Sequence, residues 1–94
     1  MSKKTIWITG GSTGIGKALA IKFANKGWNV AVSARRVELL NELSNSYENI
    51  SSFPLDVTDR EKCKEVFNEI KNKYENIDIC FFQLEHGIPK KKKI

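Results

Sequence analysis

The residues best suited to chemistry form one stretch, Thr9-Gly10-Gly11-Ser12-Thr13-Gly14-Ile15-Gly16. Glycines at this density let the backbone bend sharply, and with only hydrogen on their Cα atoms they let a ligand come close. If a helix starts where the bend ends, its first N–H groups lack an intrahelical partner and carry a partial positive charge, so the natural occupant is an oxyanion such as a phosphate. Two further groups qualify. The guanidinium pair Arg35-Arg36 follows a second apolar run, and Asp56-Val57 follows a third. A guanidinium offers a planar, permanently charged fork to a phosphoryl group, whereas a carboxylate accepts from amines and hydroxyls.

These groups converge only if the segments between them alternate strand and helix. Thr5-Ile6-Trp7-Ile8-Thr9 is β-branched and aromatic, the composition of a buried strand. Residues 15–26 read as a helix with Ala18, Leu19 and Phe23 toward one side, stopped by Gly27. Asn29-Val30-Ala31-Val32-Ser33 is a second strand, and 37–47 a helix with Leu39, Leu40, Leu43 and Tyr47 on one face. Residues 50–55 make a third strand ending near Pro54. Thr58 and Glu61 form a capping box for a helix carrying Cys63, Val66, Phe67, Ile70 and Tyr74 at steps of three and four. Residues 77–82 make a fourth strand. Strands joined by helical crossovers imply a parallel sheet, right-handed connections and a crevice at the strands' carboxyl ends. No repeat or linker interrupts the pattern, so 1–82 is expected to be one domain and 83–94 a divergent basic tail.

Composition narrows the function. A chain of 94 residues has room for one domain and buries a smaller share of its surface than a full-sized one. The net charge of +5 looks like a nucleic-acid signal until it is located. Lys90, Lys91, Lys92 and Lys93 set against Glu85 leave +3 in the last dozen residues and +2 in the rest. No aromatic residue is interleaved with that lysine run to stack on bases, so no nucleic-acid partner is expected. There is no apolar run of membrane-spanning length and Met1-Ser2-Lys3-Lys4 lacks a signal-peptide core, so no membrane partner and a cytoplasmic location are expected. Cys63 and Cys80, unclustered, are expected in the core, with no metal or disulfide role.

Three patterns compete for the glycine stretch. The spacing G-x-G-x-x-G fails, because Gly14 and Gly16 are followed at the third position by Leu19. The triphosphate loop G-x-x-x-x-G-K-[ST] has Gly11, Gly16 and Lys17 but meets Ala18 where a hydroxyl must reach Mg²⁺. Thr-Gly-x-x-x-Gly-Ile-Gly fits throughout, and in it the sequence resembles the short-chain dehydrogenase/reductase family. The fold implied is α/β, a Rossmann-like three-layer parallel sheet, here partial, with four strands in the order 3-2-1-4.

The resemblance covers about the first 80 residues. It implies that Gly10, Ser12, Thr13, Gly14, Ile15 and Gly16 hold the diphosphate of a dinucleotide. The slot where NAD-preferring members place a carboxylate for the ribose hydroxyls is Ala34, and Arg35, assisted by Arg36, stands beside it. That combination implies NADP(H), with NAD(H) the poorer ligand. Leu55-Asp56-Val57-Thr58 resembles the segment that holds adenine, with the Asp56 carboxylate on the exocyclic amine and the Val57 backbone on a ring nitrogen.

Past Phe82 the resemblance breaks. An Asn-Asn-Ala-Gly type turn is implied there, and the chain reads Gln83-Leu84-Glu85-His86-Gly87-Ile88-Pro89. The family's acid/base chemistry, a Ser with a Tyr-x-x-x-Lys, has no counterpart: Tyr47 is followed four residues on by Ser51, and Tyr74 by Asp78. His86 has no evident orienting partner. The expectation is the NADP(H)-binding amino-terminal half of an alcohol/carbonyl oxidoreductase, truncated, as by a slip of frame near Gln83, and inactive alone. Its fourth strand, left as an edge, invites self-association. The alternatives are a non-catalytic nucleotide-binding or interaction module and a degenerate triphosphate-loop binder.

Overall fold

The computed structural model describes residues 3–10 and 14–82. Seven elements alternate: β1 (Thr5–Thr9), α1 (Gly14–Asn25), β2 (Asn29–Ser33), α2 (Val37–Ser46), β3 (Ile50–Ser52), α3 (Arg60–Tyr74) and β4 (Ile79–Phe82). The strands form one parallel sheet in the order β3-β2-β1-β4. Side chains alternate across it, so Ile6, Ile8, Val30, Val32 and Ile50 meet Ala20 and Ala24 of α1 and Leu40 and Leu43 of α2. On the opposite face Trp7 and Ala31 meet Leu55 and, on α3, Val66 and Ile70. The helices change face when the chain reverses its course across the sheet, as constant right-handed crossovers require.

Several expectations need local correction. α1 lies on the sheet through Gly16, Ala20 and Ala24, four residues apart and buried, while Leu19 and Phe23 are half-buried at its flanks and Ala18 is exposed. A helix brought this near a sheet must present small residues there. β3 ends at Ser52, but single bonds to the β2 segment continue, from the Phe53 N–H to the Val32 carbonyl (2.8 Å) and from the Leu55 N–H to the Ala34 carbonyl (3.0 Å). Pro54 between them has no N–H to offer.

α3 is capped by Asp59, not by Thr58: the Asp59 carboxylate accepts from the Lys62 N–H at 3.1 Å. β4 begins at Ile79, because Asp78 is already clasped to β1. Its N–H donates to the Thr5 carbonyl and its Oδ2 accepts from the Thr5 N–H, both at 2.8 Å. Cys63 is half-buried and Cys80 exposed, so neither is the core residue expected; Cys80 lies on the sheet's edge strand, and partial burial still pushes its thiol pKa up. Among the described residues no helix is long and apolar enough to cross a membrane.

Candidate functional site

The order β3-β2-β1-β4 puts a switch point between β1 and β4, where the chain runs outward on one side of β1 and later returns to the other. Crevices form at such points, outside the carboxyl ends of the strands. β1 ends here and runs into Gly10. Gly10, at φ 75°, and Gly14, at φ 62°, both adopt the left-handed backbone that other residues enter only with strain.

Gly10 is fixed by the end of β2, its buried N–H donating to the Ser33 carbonyl at 2.7 Å. Ser33 is held in turn, since its hydroxyl accepts from Trp7 Nε1 at 3.0 Å beneath the sheet surface. Gly14 opens α1, whose first turn carries no acidic residue. The start of this helix therefore keeps its partial positive charge without a local carboxylate to offset it. Ile15 is exposed and Gly16 buried in that first turn. Ser12 and Thr13 lie outside the described residues, as does the whole 83–94 segment.

Immediately past β2, Ala34 is buried and offers no carboxylate. Arg35 and Arg36 follow, both exposed; Arg36 is the residue before α2, with Glu38 in that helix's first turn to moderate two cations at its positive end. Asp56, past β3, lies close enough to Arg35 for the guanidinium to stabilise its ionised form. The main causes that hold its carboxyl below the ordinary range are nearer: the Thr58 hydroxyl donates to Asp56 Oδ1 at 2.7 Å and the Thr58 N–H donates to the same oxygen at 2.9 Å. Val57 stands exposed between them. The structure thus brings Arg35 and Asp56 together from separate loops, with Gly10 tied to the end of β2 directly before Ala34 and Arg35.

Two contributors carry roles that the motifs did not assign. Ser33 is the post to which Gly10 is tied, which no local signal announces because its partners come from another strand and the residue after that strand. Thr58 binds Asp56 rather than capping α3, and the Asp-x-Thr spacing of an Asx turn was a usable signal. Beside the crevice, between α3 and β4, runs an apolar groove of about 650 Å³ lined by Trp7, Leu55, Val57, Phe67 and Phe82 among others. Trp7 meets Phe82 edge-on at 5.6 Å and Phe67 at 6.3 Å. Among the described residues no group of His, Cys, Asp or Glu could hold a metal ion.

A family model described as short chain dehydrogenase matches residues 4–82, and the chain belongs to that family. An uncharacterized oxidoreductase of Listeria monocytogenes is 40% identical over 86 residues, which is 86% of this chain and 34% of that protein. The NADPH-dependent 1-acyldihydroxyacetone phosphate reductase of Schizosaccharomyces pombe is 41% identical over 66 residues, 69% of this chain and 22% of that protein. Among solved structures, ElxO with NADP bound is similar with a TM-score of 0.73 and 39% identity, covering 83% of this chain and 33% of that one. The chain spans about a third or less of the length of these relatives.

Proposed function

We propose that this chain binds NADP(H) along the carboxyl edge of β1, β2 and β3, as the cofactor-holding part of an oxidoreductase acting on an alcohol or carbonyl. Gly10, Gly14, Ile15 and Gly16, with Ser12 and Thr13, hold the diphosphate; Arg35 with Arg36 takes the 2′-phosphate; Asp56 and Val57 take the adenine. The observation that carries the reading is the end of β2, where a buried Ala34 leaves no carboxylate to repel a phosphate and Arg35 follows at once. The printed descriptions of two similar proteins, NADPH-dependent in one case and NADP-bound in the other, support it.

When bound, the nicotinamide group supplies hydride chemistry. The part of the residues described above is to orient and retain the dinucleotide. The chain is further proposed to lie in the cytoplasm. Its edge strand favours self-association: Ile79 is 40% and Phe82 65% exposed.

Titration with NADPH, NADH and Mg-ATP tests the reading. A charge-assisted hydrogen bond is worth about 1.5–3 kcal/mol, so NADPH should bind about ten- to hundredfold tighter than NADH. Arg35→Asp should erase that preference. Mg-dependent ATP binding would instead favour the triphosphate loop, and a chain that binds none of the three refutes nucleotide binding.

A further inference from the structure

Thr58 carries no role in the reading above, yet it makes two short bonds to one atom. Its N–H and its hydroxyl both donate to Asp56 Oδ1, at 2.9 and 2.7 Å. Rotation of the carboxylate about either side-chain torsion would stretch both bonds together, so Oδ1 is pinned. The loop beneath is braced as well. The Asp56 carbonyl accepts from the Asp59 N–H at 2.9 Å, and Asp59 in turn caps α3. The hydrogen bonds that the described residues make to this carboxylate both fall on Oδ1, with Arg35 near enough to stabilise its charge, so Oδ2 is the oxygen offered to a donor from outside.

We infer that Thr58 is a positioning residue for recognition of the base: by pinning Oδ1 it presents Oδ2 alone, in one orientation, to the exocyclic amine of adenine, and so discriminates against a purine that carries an oxygen there. The inference rests on the NADP(H) reading of the site. A carboxylate that could swing would follow the ligand and discriminate less, because a donor must be met along the lone-pair direction for a full-strength bond. A fixed acceptor facing a carbonyl oxygen leaves two acceptors opposed and unpaired.

The test uses the full chain as wild type, Thr58→Val, Thr58→Ser and Asp56→Ala. Each is titrated with NADPH and with its hypoxanthine counterpart, in which the amine is replaced by a carbonyl. The wild type should prefer NADPH by about tenfold or more. Thr58→Val should fall toward Asp56→Ala in that preference, through weaker NADPH binding, while Thr58→Ser, which keeps the hydroxyl, should retain it. Equal weakening toward both ligands in Thr58→Val, or the same loss in Thr58→Ser, makes Thr58 merely structural and overturns the inference.

A second measurement needs no ligand. Titration of the Asp56 carboxyl by NMR should move its midpoint up toward the ordinary carboxylate range in Thr58→Val and leave it in place in Thr58→Ser. An unmoved midpoint in Thr58→Val overturns the pinning. A wild type that binds NADPH with no change in Thr58→Val defeats the inference alone, and a wild type that binds neither dinucleotide defeats the NADP(H) reading and the inference with it.

Discussion

Ser33→Ala removes one oxygen from the interior and leaves the Trp7 indole N–H with nothing to donate to. Ser33 is fully buried and Trp7 is 3% exposed, so water cannot replace the lost acceptor without opening the sheet. A buried donor left unsatisfied costs about 1–3 kcal/mol. Domains typically hold about 0.05–0.15 kcal/mol of net stability per residue, so for 94 residues this is a substantial fraction of the whole. At about 4–8 °C per kcal/mol for a domain of this size, a loss of about 2 kcal/mol lowers Tm by about 8–16 °C.

The assay is urea unfolding followed by far-UV circular dichroism, on Ser33→Ala, Trp7→Phe and the double variant. Phenylalanine keeps the ring against Phe67 and Phe82 but has no N–H, so in that background Ser33→Ala strands no donor. Its cost should shrink by about 1 kcal/mol or more. A Ser33→Ala variant within about 0.5 kcal/mol of wild type, or one costing the same in both backgrounds, would refute the assignment of Trp7–Ser33 as a stabilising bond.

Other consequences are as direct. Ile79→Lys puts a charge on the exposed edge strand and should shift sedimentation toward monomer, whereas an unchanged distribution would move any self-association elsewhere. Asp59→Ala removes the cap of α3 and should cost about 0.5–2 kcal/mol in a thermal or urea melt, while Thr58→Ala should leave the helix start intact. The folded-state pKa of Asp56 lies below the ordinary value, through Thr58 first and Arg35 in lesser part, so its stabilisation is complete above the unfolded pKa and fades as pH falls through the folded one. Thr58→Val should therefore be less stable than wild type near neutrality, with the gap closing below about pH 4. A gap independent of pH would mean that the loss has another source.

Much of the fold was legible in the sequence because the sheet is buried on both faces over β1 and β2, where apolar runs bounded by glycines and polar residues read plainly as strands. The alternation of four strands with three helices gave a parallel sheet and the hand of its connections but not the strand order. That order was implied by the family resemblance carried by the glycine motif, and it is the order the sheet has. The sequence was less informative wherever a side chain took over a backbone role. Asp78 occupies the rung that would have begun β4 two residues earlier, and Asp56 takes the Thr58 hydroxyl that would have capped α3. The contact face of α1 was misjudged for a different reason: apolar periodicity favours large residues such as Leu19 and Phe23, whereas close helix–sheet contact selects Gly16, Ala20 and Ala24. At the site, Gly10, Arg35 and Asp56 were each marked by spacing along the chain. Ser33 was not, since its importance arises from Trp7 on one strand and Gly10 beyond it.

The Asp78 clasp also has a bearing on the order of assembly. Thr5 finds its partner 73 residues further along, so the central strand of the sheet can complete one margin soon after β2 emerges and must wait for the other until β4 is made. In the interval the backbone groups of β1 that will meet β4 lie along an unzipped ladder. A nascent chain is then most exposed to mispairing with its neighbours before residue 82 is released, and amide protection along β1 should mature last on the side that meets β4.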